Sequence, residues 1–260
     1  MDALVTGVSA AGGLLIGDRL EVVVDRVGAR QSLARPWWTC PSCEQPLHGA
    51  SGLPFGELSR RRRCPHCAAR ADFAERPLVL AVVSAAVLGS FAVRFGADVA
   101  LAAFAVVGLS LVAISAVDLQ RFLIPNRIIY PTAAVVAPLL VVASAVDGRW
   151  GSLARAAVGA VVAFVAFLAV HLVVPKGMGF GDVRLAALVG GATGWLGLGH
   201  VFVTFFAAFV LGAAVGIGVM VAGHAGRKTR IPFGPFMALG TVISVLWGNP
   251  LVHVLFHRSL

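Results

Sequence analysis

Two aspartates stand where carboxylates are costly. The stretch Gly177-Met178-Gly179-Phe180-Gly181-Asp182-Val183-Arg184-Leu185 puts one acid behind three glycines at the mouth of an apolar run. Asp118 closes another apolar run, in Ala116-Val117-Asp118-Leu119-Gln120-Arg121-Phe122-Leu123-Ile124-Pro125-Asn126. An ionised carboxylate entering hydrocarbon pairs, protonates or lines a wet cavity. Glycine has no Cβ, so Gly179 and Gly181 let another backbone approach and leave room for an extended peptide beside Asp182. If the two acids meet, they share a proton and titrate as a coupled pair. The ionised member then takes a proton from water while the protonated one hydrogen-bonds a carbonyl, a division of labour suited to peptide hydrolysis. Either aspartate can play either part. The same residues would serve an ion-coupled transporter as relay sites. Each alone would serve as a helix cap or an interfacial charge, Asp118 pairing with Arg121 or Arg127 and Asp182 with Lys176 or Arg184.

The elements that must position these acids are membrane helices. Of 260 residues, 58% are hydrophobic and 13% charged, and mean hydropathy is +0.89. Soluble domains carry roughly 25% charged residues, so a soluble class is excluded. Apolar runs near the length of a bilayer span cover Ala3–Val24, Pro77–Phe95, Ala97–Val117, Ile128–Val146, Ser152–Val174, Val183–Leu198, His200–Gly223 and Phe233–Phe256. The expected fold is an all-α membrane protein, a polytopic bundle of about eight transmembrane helices. It divides into a first helix (1–24), a polar loop (25–76) and a seven-helix core (77–260). With the N-terminus outside, seventeen of the 21 lysines and arginines fall on the cytoplasmic side, and only Arg94, Arg149, Arg155 and Arg258 fall outside. That orientation returns Asp118 and Asp182 to the cytoplasmic interface of the inner membrane. It leaves Asp98 and Asp147 in short outer loops as solvated acids. The net charge of +9 is a topology signal here, with lipid rather than nucleic acid as the partner.

The polar loop has chemistry of its own. Cys40-Pro41-Ser42-Cys43 and Cys64-Pro65-His66-Cys67 have the spacing of zinc-ribbon knuckles, in which four thiolates hold the metal tetrahedrally. A reducing cytoplasm disfavours disulfides. Four cysteine ligands leave zinc no open position, so Cys40, Cys43, Cys64 and Cys67 imply a structural zinc in a zinc-ribbon-like insert. The run Arg60–Arg63 between the knuckles suits anionic lipid. His171 and His200 are expected to be buried and hydrogen-bonded. Gly190, Gly191, Gly194 and Gly197 recur at intervals that permit close helix packing.

Asp118 followed by Ile124-Pro125-Asn126, then the glycine motif ending in Asp182, then Ile231-Pro232-Phe233-Gly234-Pro235, closely resembles the type IV prepilin peptidases, intramembrane proteases of the Gly-x-Gly-Asp class. The ordered motifs and the cysteine loop cover nearly the whole chain. The resemblance implies that Asp118 and Asp182 are the catalytic pair. It also implies a prepilin or pseudopilin precursor as substrate, cut on the cytoplasmic side after a short basic leader. Many relatives also N-methylate the new terminus with S-adenosylmethionine, an activity associated with the N-terminal region. Three positions depart from the pattern: Gly17-Asp18-Arg19-Leu20-Glu21 near the end of the first helix, Leu80 where an acid is common, and Arg184 where lysine is usual.

Overall fold

In a computed structural model of the chain, residues 2–28, 76–174, 178–222 and 232–257 are described, and every element among them is a helix. In chain order these are α1 (Asp2–Gly28), α2 (Arg76–Phe95), α3 (Ala100–Arg121), α4 (Asn126–Val146), α5 (Trp150–Val173), α6 (Phe180–Leu196), α7 (Leu198–Val221) and α8 (Gly234–His257). Six of them, α2 to α5, α7 and α8, are long and apolar enough to cross a membrane. The other two are α6, with 17 residues, and α1, whose apolar part is Asp2–Gly17. The outer faces of α2, α5 and α7 expose Val93, Val161, Val165, Leu172, Phe206 and Val221, side chains that belong in lipid. The chain is a multi-pass helical membrane protein. The cysteine loop, with Cys40, Cys43, Cys64 and Cys67, lies outside the described residues.

Helix ends follow local backbone chemistry more closely than hydropathy. α1 continues to Gly28, past the expected end at Val24, with Val24 and Val27 buried; charged residues alone do not stop a helix. α3 starts at Ala100 rather than Ala97, because Gly96 turns the chain at φ +59° and Asp98 Oδ1 accepts the Ala100 N–H at 2.7 Å. α6 begins earlier than its apolar run, at Phe180.

The interior is built around α3, the most buried of the six long helices. Phe104 on α3 stacks on Phe95 at 4.7 Å between ring centroids and meets Phe91 edge-on at 6.3 Å. Glycines bring helix backbones together at several places, among them Gly240 of α8 against the α7 backbone at Thr204. A Cβ on Gly17 would lie 2.6 Å from the Ala81 Cα, so α1 and α2 pack backbone to backbone. A Cβ on Gly190 would lie 2.6 Å from the Gly159 carbonyl oxygen, and one on Gly194 2.7 Å from that of Arg155, which seats α6 directly on α5. Gly197 has a different job, as the extended link between α6 and α7.

Candidate active site

Asp118 lies in the last turn of α3 and is 4% exposed. Beyond it the chain leaves the helix through Phe122 at φ +52°, a left-handed cap usually taken by glycine or asparagine, with the Phe122 N–H on the Asp118 carbonyl at 2.8 Å. That cap swings Leu123 to Asn126 away from the α3 axis. Pro125 then opens α4. The Asp118 carboxylate itself is held from far along the chain: the Gly234 N–H, at the first residue of α8, donates to Oδ2 at 2.9 Å. A helix N-terminus carries unpaired N–H groups and a partial positive charge, so a carboxylate is stabilised there.

Asp182 has the same kind of support from its own helix. It is the third residue of α6 and 9% exposed, and its Oδ2 reaches back to accept the Gly179 N–H at 3.0 Å. This is the acid half of a capping box, with glycine at the cap position. Each aspartate thus has Oδ2 on a glycine N–H at a helix start. The acids are close enough for the charge of Asp118 to act on Asp182.

The segments flanking the two acids also touch. A Cβ on Gly181 would lie 2.8 Å from the Ile124 Cβ and 3.2 Å from its carbonyl oxygen, so the place of a side chain at Gly181 is filled by the Ile-Pro-Asn segment. A Cβ on Gly179 would meet only the Asp182 carboxylate and the Gly181 nitrogen, at 3.3 and 3.9 Å. One turn further on, the Arg184 Nη1 donates to Asn126 Oδ1 at 2.7 Å while its guanidinium lies over the Phe180 ring at 4.5 Å. Arg184 therefore ties α6 to the start of α4 and is not the ion-pair partner of Asp182. On the other side, His171 bonds the Met178 carbonyl.

At the opposite ends of the helices Asp98 and Asp147 are not simply solvated. Gly148, at φ +67°, turns the α4–α5 link so that Arg149 bonds both acids, Asp98 at 2.8 Å. The same guanidinium lies 4.5 Å over the Trp195 ring, and the Trp195 Nε1–H donates to Ser144 Oγ at 2.9 Å. Partial burial acts to lower the Arg149 pKa, but its hydrogen bonds to Asp147 and Asp98, and their charges, outweigh this and hold it above its ordinary value. Among the described residues no group of three or more His, Cys, Asp or Glu side chains is placed to hold a metal.

Residues 105–217, which include both aspartates, match the family model described as the type IV leader peptidase family. Residues 12–95 match that of the bacterial peptidase A24 N-terminal domain. A prepilin leader peptidase/N-methyltransferase of Burkholderia pseudomallei strain 1026b is 33% identical over 236 residues, spanning 87% of this chain and 72% of the relative. The chain belongs to the type IV leader peptidase family. Other relatives carry the same printed name. One from Stutzerimonas stutzeri is 30% identical over 240 residues, covering 89% of this chain and 79% of its own. One from Bacillus subtilis strain 168 is 29% identical over 250 residues, covering 95% and 96%. No solved structure matches the chain. Within this leader peptidase the sequence marked Gly234 and Asn126 only as parts of motifs and His171 only as a hydrogen-bonded histidine; the structure gives them partners, Gly234 on Asp118, His171 on the Met178 carbonyl and Asn126 on Arg184.

Proposed function

We propose that this protein is an intramembrane aspartic endopeptidase that removes the leader peptide from type IV prepilin or pseudopilin precursors at the cytoplasmic face of the inner membrane. Its family and the printed names of its relatives support the peptidase activity and the substrate class. The observation that carries the chemistry is the matched anchoring of Asp118 and Asp182. Each is buried and has one oxygen on a glycine N–H, and the charge of one acts on the other. With one proton between them, the charged acid draws a proton from water as its oxygen attacks the scissile carbonyl. The protonated acid hydrogen-bonds the carbonyl oxygen and hands over its proton as the tetrahedral centre forms. Collapse then breaks the C–N bond, and a proton passes to the leaving amine, so that one water has been consumed. The extended scissile segment runs beside Gly179 and Gly181. Gly179 gives it open backbone, and Gly181 contributes main chain only, its side-chain position being occupied by Ile124.

Orientation follows the lysine and arginine distribution, with the N-terminus outside and both acids cytoplasmic. Residues 25–28 and 76 belong to α1 and α2, so the cytoplasmic insert expected at 25–76, between a first helix (1–24) and a core (77–260), narrows to the segment linking those two helices. In that insert Cys40, Cys43, Cys64 and Cys67 hold a structural zinc, tested by metal analysis of purified wild type and Cys→Ser variants. None of the family or relative names points to transport, which leaves the relay alternative without support.

The test is co-expression with a candidate prepilin, following gel mobility and intact mass. Wild type removes the leader; Asp118→Asn and Asp182→Asn, at equal expression, do not. Cleavage by both variants would remove the aspartates from the chemistry. The relatives' names join N-methyltransferase to peptidase, and a mature product heavier by one methyl group would extend that second activity, with S-adenosylmethionine as donor, to this chain.

A further inference from the structure

His171 stands in the last turn of α5, and its Nδ1 lies 2.8 Å from the Met178 carbonyl oxygen. A carbonyl can only accept, so Nδ1 carries the proton and donates it. The ring is held in place by a tilted contact with Phe180, centroids 5.6 Å apart. The nitrogen of the same peptide unit is that of Gly179, whose N–H donates to Asp182 Oδ2 at 3.0 Å. One amide plane therefore joins the imidazole to the carboxylate, with His171 on its oxygen and Asp182 on its hydrogen.

Among the described residues these are the two hydrogen bonds that fix the plane. Glycine at 179 permits backbone rotations that a side chain would forbid, and a flip of the 178–179 peptide would turn its carbonyl oxygen toward Asp182 in place of the N–H. The His171 bond opposes the flip. Hydrogen bonds in series also polarise one another, so donation to the carbonyl strengthens what the N–H offers the acid.

We propose that His171 is a positioning residue for Asp182, acting through the Met178–Gly179 peptide and not by touching substrate. The proposal rests on Asp182 being one of the reacting acids, so its test has one arm that does not use the reaction. The variants are His171→Phe, which keeps a ring against Phe180 and removes only the donor, and His171→Asn, whose amide N–H can occupy the place of Nδ1–H. His171→Leu is a second removal should the phenylalanine variant be lost. In prepilin cleavage by purified protein, His171→Phe lowers kcat about tenfold to thirtyfold with KM nearly unchanged. His171→Asn recovers most of the loss. In hydrogen exchange of the folded proteins in lipid nanodiscs, the Gly179 amide exchanges at least several-fold faster in His171→Phe than in wild type, and His171→Asn restores its protection.

Unchanged Gly179 exchange in His171→Phe overturns the proposal whether or not any substrate is cut. So does a kcat within twofold of wild type, or an asparagine variant no better than phenylalanine. Faster exchange with restoration by asparagine, in a wild type that fails to cleave, upholds the anchor and counts against the proposed peptidase function instead.

Discussion

An alanine at position 234 would put a methyl carbon 2.8 Å from Asp118 Oδ2 and 3.4 Å from the Cβ and Cγ of the same side chain. Carbon does not settle that close to oxygen, so either the carboxylate rotates away or the start of α8 withdraws. Both movements break the 2.9 Å bond from the Gly234 N–H. A hydrogen bond to a charged group contributes about 1.5–3 kcal/mol. At about 1.4 kcal/mol per factor of ten, Gly234→Ala lowers kcat/KM for leader removal about tenfold to a hundredfold. The assay is the time course of precursor and mature bands with purified enzyme and prepilin in nanodiscs, alongside thermal unfolding to establish that the variant is folded. Gly218→Ala is the matched control, because a Cβ there meets nothing within 4 Å. A folded Gly234→Ala enzyme within twofold of wild type would refute the claim that this N–H sets the Asp118 carboxylate.

Three further outcomes are expected. Gly181→Ala drives a carbon into Ile124, where overpacking costs about 1–3 kcal/mol, and slows leader removal more than Gly179→Ala; equal effects would sink this. Arg184→Ala and Asn126→Ala are coupled by about 0.5–1.5 kcal/mol in a double-mutant cycle on kcat/KM, whereas additive effects would mean that the 2.7 Å bond does not link the two segments during turnover. Arg149→Met strands Asp98 and Asp147 and removes the cation over Trp195. Because its side chain is 39% exposed the loss is discounted to about 1–2 kcal/mol, read as a fall of a few degrees in unfolding temperature with cleavage unchanged.

What the sequence made legible was whatever repeats or sits locally. Apolar runs marked the helices, and an aspartate at the edge of such a run marks itself, since few other reasons place a carboxylate there. The glycine spacing also pointed correctly to close packing at Gly190 and Gly194. Long-range partners left no local trace. Gly234 and Asp118 are 116 residues apart, Arg184 and Asn126 are 58 apart, and Arg149 reaches Asp98 across 51. Asp98 and Asp147 accordingly looked like loop acids until a single positive-φ glycine brought Arg149 between them. Helix ends were missed by a few residues where a turn or cap, not hydropathy, decides them, as at Gly96 and Asp98.

The 17 residues of α6 bear on the lipid as well as on the protein. At 1.5 Å per residue the helix is about 26 Å long, a few ångströms short of a hydrocarbon layer of about 30 Å. Its first turn carries Asp182, so the deficit falls either on the acid or on the bilayer. A short element is accommodated by local thinning, with headgroups and water drawn down to its end. Bilayer thickness then becomes a variable of the reaction. Lengthening the acyl chains around the protein would bury the mouth of the site, and shortening them would bring water to the carboxylates without any change in the chain itself.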